Sequence, residues 1–241
     1  MLEKQYFVGP SDVDPFLDLR LSSLFKFMQD IATEHAEKLG IGREKTIDKG
    51  MFWVITRYSV DIIRMPKFLE TLVVKTYPGK DMKFIFPRFF QIETLSGEIV
   101  IKASSTWVVL NMNNHNINMN PFGGDVLPHE HIDDEEKLPQ KINPPIELFE
   151  CNRRVSTYSD TDLNGHINNT SYINYVIDCH DFAFFKDKQI KHFDINYEHE
   201  LSSGEELILS NNIQNDVEYV SGKTKDRQIF NAKITYIPRK Q

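Results

Sequence analysis

The chain has 241 residues, 40% of them hydrophobic and 12% aromatic, with a formal net charge of −7 and two cysteines. That length fits one large domain or two of ordinary size, and the acid excess gives no electrostatic support for binding nucleic acid. Met1 is followed by Leu2-Glu3-Lys4-Gln5 rather than an apolar leader, no apolar run approaches the ~20 residues of a membrane helix, and Cys151 and Cys179 form no metal or redox motif, so a cytoplasmic, reducing setting without membrane insertion is expected.

Gln5-Tyr6-Phe7-Val8 reads as a strand, followed by turn signals at Gly9-Pro10. From Leu21 the pattern changes. Leu24, Phe25, Phe27, Met28, Ile31, Ala32, His35 and Leu39 form a broad apolar stripe at the ~3.6-residue helical period, closed by Gly40, with Ser22 or Ser23 expected as the cap. Met51 to Arg64, Glu70 to Tyr77, Lys83 to Thr94 and Glu98 to Asn111 are each strand-like. The Leu95-Ser96-Gly97 turn joins the last two as a hairpin.

Residues 111–150 are rich in Asn and Pro, with Gly123-Gly124 and the acidic run Asp133-Asp134-Glu135-Glu136, a composition that reads as a linker wrapping the surface. His129-Glu130-His131 within it lacks the further ligands a metal site needs. The first pattern then recurs: a strand from Arg153 to Tyr158, a helix from Asn169 to Phe185, and strands over Ile190–Glu200, Glu206–Asn212, Val217–Lys223 and Gln228–Ile237. Both halves run strand, long helix, four strands. A helix followed by such a meander is buried only if the sheet curls around it, and two such units can share one sheet. The expected division is 1–115 for the first repeat, 116–150 for the linker and 151–241 for the second repeat.

The segment Tyr158 to Tyr172 lies between the second strand–helix pair and is dense in polar side chains. Asn168 or Asn169 can cap the helix that follows. In an extended segment, Asp162, Asn164 and His166 would point to one face. A carboxylate, an amide and an imidazole beside a helix N-terminus suit a developing negative charge or a bound water. Asp160, Asp162, Asn164 and Gly165 also match the opening of a calcium-binding EF-hand loop, but its twelfth position is Ser171 rather than Glu, and a strand precedes it. The bland alternative is that these residues are turn formers and caps. Cys179 reads as a small buried hydrophobe.

These stretches together resemble the acyl-acyl carrier protein thioesterases of plants and bacteria. In the first half the resemblance rests on Ile55-Thr56-Arg57 after Phe52-Trp53-Val54, and on Ala103-Ser104-Ser105-Thr106-Trp107-Val108. In the second it rests on Ser159 through Asn169 and on Tyr172-Ile173. The resemblance implies an α+β tandem (double) hotdog, two long helices each wrapped by a curled antiparallel sheet shared between the repeats. It implies hydrolysis of fatty acyl thioesters on acyl carrier protein, a hydrolase of fatty acid metabolism, with no cofactor and no metal. The family's Asp, Asn and His fall on Asp162, Asn164 and His166, and its Glu on Glu200. Plant members carry a Cys directly after that Glu; here it is Leu201, which leaves Glu-assisted attack by water.

The first half lacks this set, so one active site per chain is expected in the second repeat, with the first holding the acyl chain. Phe27, Met28, Ile31, Phe52 and Trp53 are the candidate lining. Acyl carrier proteins are acidic, so docking on this acidic chain calls for a local basic patch, with Arg153, Arg154, Lys186, Lys188 and Lys191 as candidates. An acyl-CoA thioesterase and a non-catalytic acyl-binding protein are the rival readings. The oligomeric state is left open, a homodimer included.

Overall fold

The computed structural model describes residues 1–124, 127–132, 136–145 and 147–239. Asp133, Asp134 and Glu135 of the acidic run lie outside the described residues. The chain divides into two compact units, Met1–Pro139 and Gln140–Gln241.

In the first unit β1 (Leu2–Phe7) precedes α1 (Leu21–Lys38) and a short α2 (Arg43–Ile47). Then come β2 (Met51–Ile62), β3 (Thr71–Pro78), β4 (Phe86–Thr94) and β5 (Ile99–Asn111). These strands pair antiparallel in the order β1-β3-β4-β5-β2. Helix α1 packs on β1 and β3, with Phe27 stacked on Tyr6 at 4.6 Å and Phe25 edge-on to Tyr58 at 4.8 Å. Leu24, Phe25, Met28 and Ile31 are wholly buried, each contributing about 1.5–3 kcal/mol of apolar burial. The N-cap is Arg20, with no side-chain cap. Ser22 and Ser23, expected as caps, lie inside the helix, because Leu21 is already part of its buried face. The hairpin forms at the expected turn, where Gly97 takes a φ of +86° and Thr94 N–H donates to Glu98 O at 2.9 Å.

The second unit contains β6 (Phe149–Val155), α3 (Asn169–Ile177), α4 (Phe182–Asp187), β7 (Lys188–Tyr197), β8 (Glu206–Gln214), β9 (Val217–Lys223) and β10 (Gln228–Pro238). Its antiparallel order is β6-β8-β9-β10-β7. In each unit, then, the first strand pairs with the third and the fifth with the second. The repeat expected from the pattern of elements is therefore present in the pairing as well.

The helix expected over 169–185 is broken into α3 and α4. Cys179 and His180 N–H groups bond back to Val176 and Ile177 carbonyls in tight three-residue turns. Asp181 then caps α4 by accepting from Phe184 N–H at 3.0 Å. A buried acid holds this break in place. Glu218 is wholly buried, takes the Asn211 amide at 2.7 Å and the Tyr236 hydroxyl at 2.6 Å, and lies 2.9 Å from His180 Nε2 in the turn. A carboxylate without those partners would be costly to bury.

Between Asn111 and Phe149 the described residues form no helix or strand. The Asn-rich part folds back on its own unit: Asn118 N–H donates to Val109 O, Glu130 N–H to Pro78 O, and Ser104 Oγ to Lys137 O. Glu130 also pairs with the amino terminus of Met1, and His131 with Glu136 at 3.1 Å. Among the described residues no group of three His, Cys, Asp or Glu side chains could hold a metal ion, and no helix is long and apolar enough to cross a membrane.

Candidate active site

The Asp162–His166 segment is a closed loop rather than an extended stretch. Asp162 N–H donates to His166 O at 2.8 Å and Asn168 N–H to Asp160 O at 2.8 Å, so the two ends of the loop pair as a miniature hairpin. At its tip Gly165 N–H returns to Asp162 O at 3.1 Å, and Gly165 takes a φ of +80° that other residues adopt only with strain. Asp162 organises this turn. Its Oδ1 accepts from Asn164 N–H at 2.8 Å and His166 N–H at 3.4 Å, and its Oδ2 lies 3.4 Å from the Asn164 amide nitrogen. Asp162 is thus tied to the backbones of Asn164 and His166 by an Asx-type turn, where strand alternation was expected. Asp162 and His166 are half-buried and Asn164 is exposed.

The loop is braced at both ends. Before it, Asp160 Oδ2 accepts from Thr157 N–H and Oγ1–H, both at 2.8 Å. Burial raises the Asp160 pKa, but the Thr157 donors together with Tyr175 and Arg154 outweigh it and hold the carboxyl below its ordinary value. Asp160 and Asp162 therefore each serve their own turn. After the loop, Asn168 is the cap of α3, accepting from Thr170 N–H at 2.9 Å.

Glu200 was expected on a strand reaching that residue, but β7 ends at Tyr197, where the last β7–β10 pair is Tyr197 with Phe230. Glu200 lies in the connection beyond. Leu201, wholly buried, draws that connection inward, its carbonyl accepting from Ile167 N–H at 3.3 Å. The result brings His166 Nε2 and Glu200 Oε2 within 3.4 Å, both side chains more than a third exposed at 38% and 40%. A carboxylate and an imidazole in contact and open to solvent can share and accept a proton. Two further side chains frame the pair: Tyr172 of α3, whose hydroxyl accepts from Leu201 N–H at 3.2 Å, and Arg227, whose Nη2 donates to Glu200 O at 3.1 Å. Tyr172 stood within the family-like stretch without a role, and Arg227 carried no local signal, being 27 residues from its partner.

The expected lining residues do not share one place. Met28 and Ile31 are wholly buried and Phe27 nearly so on the inner face of α1. Register sets the strand residues apart. Trp53, Ile55 and Tyr58 pair with Val109, Trp107 and Ser105 across a bulge, which puts them on one face, the face that meets α1 through Tyr58 and Phe25. Phe52 is on the opposite face, near His115 at 5.7 Å.

The basic candidates are largely paired. Arg153 bonds Glu150 at 2.7 Å and Glu206 at 3.3 Å, Arg154 bonds Asp178 at 2.7 Å, and Lys188 pairs with Asp216. Lys186 lies over the Phe182 ring at 5.3 Å. Cys151 and Cys179, distant in sequence, have their Sγ atoms 3.2 Å apart.

Comparison with known proteins identifies the family. The family model described as the acyl-ACP thioesterase N-terminal domain matches residues 1–120, and the one for the C-terminal domain matches residues 146–237. Among curated proteins, the chain is 23% identical over 214 residues to the chloroplastic dodecanoyl-[acyl-carrier-protein] hydrolase of Cinnamomum camphora, covering 83% of this chain and 56% of that protein. It is 23% identical over 195 residues to the chloroplastic palmitoyl-acyl carrier protein thioesterase of Gossypium hirsutum, covering 75% and 47%. The chain thus spans about half the length of the curated relatives it matches. Its fold is that of an acyl-ACP thioesterase structure from Bacteroides thetaiotaomicron, with a TM-score of 0.89, 23% identity, and 98% and 97% of the two chains covered. The 12:0-ACP thioesterase of Umbellularia californica matches with a TM-score of 0.83, 20% identity, and 99% and 97% covered. The chain belongs to the acyl-ACP thioesterase family.

Proposed function

We propose that the chain hydrolyses the thioester of fatty acyl-acyl carrier protein, releasing free fatty acid and carrier protein. The observation that carries this reading is the 3.4 Å approach of His166 Nε2 to Glu200 Oε2, inside the segment matched by the C-terminal thioesterase domain. The substrate class is supported by the names of the curated relatives, which are acyl-carrier-protein hydrolases. The match along nearly the whole chain to the Bacteroides structure supports reading the two units as a tandem hotdog with a shared sheet.

Water is the nucleophile, since Leu201 stands where a thiol would otherwise be available. The His166–Glu200 pair takes the water proton as its oxygen adds to the carbonyl carbon, a general-base contribution of about 10²–10⁴-fold. The carbonyl π pair moves onto oxygen. Collapse then breaks the C–S bond, and the leaving thiolate takes the proton back. The Asn164 amide orients the water or the carbonyl. Asn169 N–H, the first of α3, is suited to the oxyanion, because the next two are already used by Asn168 Oδ1 and O. Asp162 holds the turn that presents Asn164 and His166.

The first unit is assigned the acyl chain, with Phe27, Met28, Ile31 and Trp53 as its lining; Phe52, on the other face, drops out. Carrier docking is assigned to the basic residues of the second unit. Arg153, Arg154, Lys186, Lys188 and Lys191 are its candidates, of which Arg153, Arg154 and Lys188 pair with acidic neighbours. Free-thiol release from an acyl carrier protein substrate tests the chemistry. His166→Ala and Glu200→Gln are each expected to lower kcat by about 10²-fold or more, with a double variant little worse than either. Near-normal rates in either single variant would remove the assignment.

A further inference from the structure

The position of Glu200 is a problem in itself. It lies past the end of β7, so no strand ladder fixes it, yet its carboxylate must stay within reach of His166. The upstream hold is shared: Glu198 and His199 N–H groups both reach Ile229 O, at 2.8 and 3.3 Å. From the Glu200 carbonyl to the Leu201 carbonyl, each backbone group has a partner of its own. The Glu200 carbonyl accepts from Arg227 Nη2 at 3.1 Å. The Leu201 N–H donates to the Tyr172 hydroxyl at 3.2 Å. The Leu201 carbonyl accepts from Ile167 N–H, the residue directly after His166.

We propose that Tyr172 and Arg227 are positioning residues, which clamp the Glu200–Leu201 peptide from two sides and so hold the Glu200 carboxylate against His166. Both anchors are themselves fixed. Tyr172 is only 3% exposed, and its ring packs on Tyr197 at 5.8 Å, Phe230 at 5.6 Å and Tyr175 at 6.0 Å. It rides on α3, the helix that opens at the catalytic loop, so one rigid element references both the loop and the Glu200 connection. Burial pushes its phenol pKa above the ordinary value, and the Glu200 and Asp162 carboxylates add to that push, so the hydroxyl stays neutral. Arg227 is held by Glu205 at 2.7 Å, and Glu205 accepts from Ser202 N–H at 2.7 Å in turn. The connection from Glu200 to Glu205 is thus closed into a ring through the guanidinium. A group held to within a fraction of an ångström matters here, because a misplacement of about 1 Å can cost about 10²-fold in rate.

The inference rests on the reading of His166 and Glu200 as the reacting pair, and the test separates the two. Tyr172→Phe removes the hydroxyl and keeps the ring; Arg227→Met removes the donor at a partly exposed site and serves if the first variant folds poorly. Each is made in the natural sequence and again in a Glu200→Gln background, and single-turnover hydrolysis of an acyl carrier protein substrate is followed with KM and Tm. The expected result is a fall in kcat of about 10- to 100-fold, KM little changed, and less than about 2-fold further loss when Glu200→Gln is already present. Packing damage alone would give the same fold-loss in both backgrounds, and that outcome, or no loss in either, overturns the inference. Near-normal turnover in Glu200→Gln by itself would overturn the underlying reading and the clamp with it.

Discussion

Gly165 is the residue on which the shape of the Asp162–His166 loop depends. Its φ of +80° lies in the left-handed region, and a Cβ added there would meet nothing within 4 Å, so the cost of a side chain is conformational rather than steric. Gly165→Ala should lose about 1–2 kcal/mol of stability, read as a shift in denaturation midpoint, and should lower kcat because the turn presents Asn164 and His166. Gly165→Asn should lose less, since Asn tolerates that conformation. Equal behaviour of the two variants would mean that the turn does not hold its φ. At this scale the candidate residues of the proposed site were legible as local strings, the Asp–Asn–His spacing and the Glu. Their geometry was not. Asp162 works through the backbone N–H groups of Asn164 and His166, and Tyr172 and Arg227 reach Glu200 and Leu201 from 27 or more residues away. No spacing rule encodes such contacts, nor the approach of Cys151 to Cys179.

Helix α1 carries a buried polar layer at its C-terminal end. Arg88 of β4 donates to His35 Nδ1 at 3.1 Å and to Thr76 Oγ1 at 3.2 Å, an arrangement that requires His35 to be neutral at Nδ1. Burial, reinforced by the Arg88 guanidinium, holds the His35 pKa down at about 4 from an ordinary 6.5; burial also brings Arg88 down to about 10. The unfolded chain therefore binds a proton at His35 that the folded chain refuses. The stability this imidazole contributes is complete above about pH 6.5 and is lost progressively as pH falls towards about 4. His35→Gln should flatten the acid limb of Tm against pH in that window while leaving the neutral-pH limb nearly parallel; an unchanged acid limb would contradict the assignment. Element boundaries followed the same logic as residues. The stripe of α1 was readable because its burial is periodic, whereas the break between α3 and α4 was hidden, since it answers to Glu218 on β9 rather than to any breaker among Asp178, Cys179 and His180. Glu200 was expected inside a strand because Tyr197-Glu198-His199-Glu200 follows an alternating run, and nothing local marks where β10 lets go.

Across the whole molecule, the tandem repeat is written twice, once in the order of elements and once in the pairing of strands, where β1-β3-β4-β5-β2 is matched by β6-β8-β9-β10-β7. The repeat has diverged in chemistry, since the entrance to α1 reads Asp18-Leu19-Arg20-Leu21 without the Asn and His of the second unit. Charge works against an acidic carrier at the level of the whole chain, whose net charge is −7, so selection of the carrier must be local and should weaken as salt screens it over a Debye length of about 8–10 Å. The most direct measurement is kcat/KM for one acyl group presented on acyl carrier protein, on coenzyme A and on a small thioester, across a salt series. The account predicts the highest value on acyl carrier protein, by about 10-fold or more over coenzyme A, equivalent to about 1.4 kcal/mol of transition-state binding. It also predicts that added salt erodes this advantage while the small thioester is unaffected. Equal or greater kcat/KM on coenzyme A, or no turnover of any of the three, would contradict it.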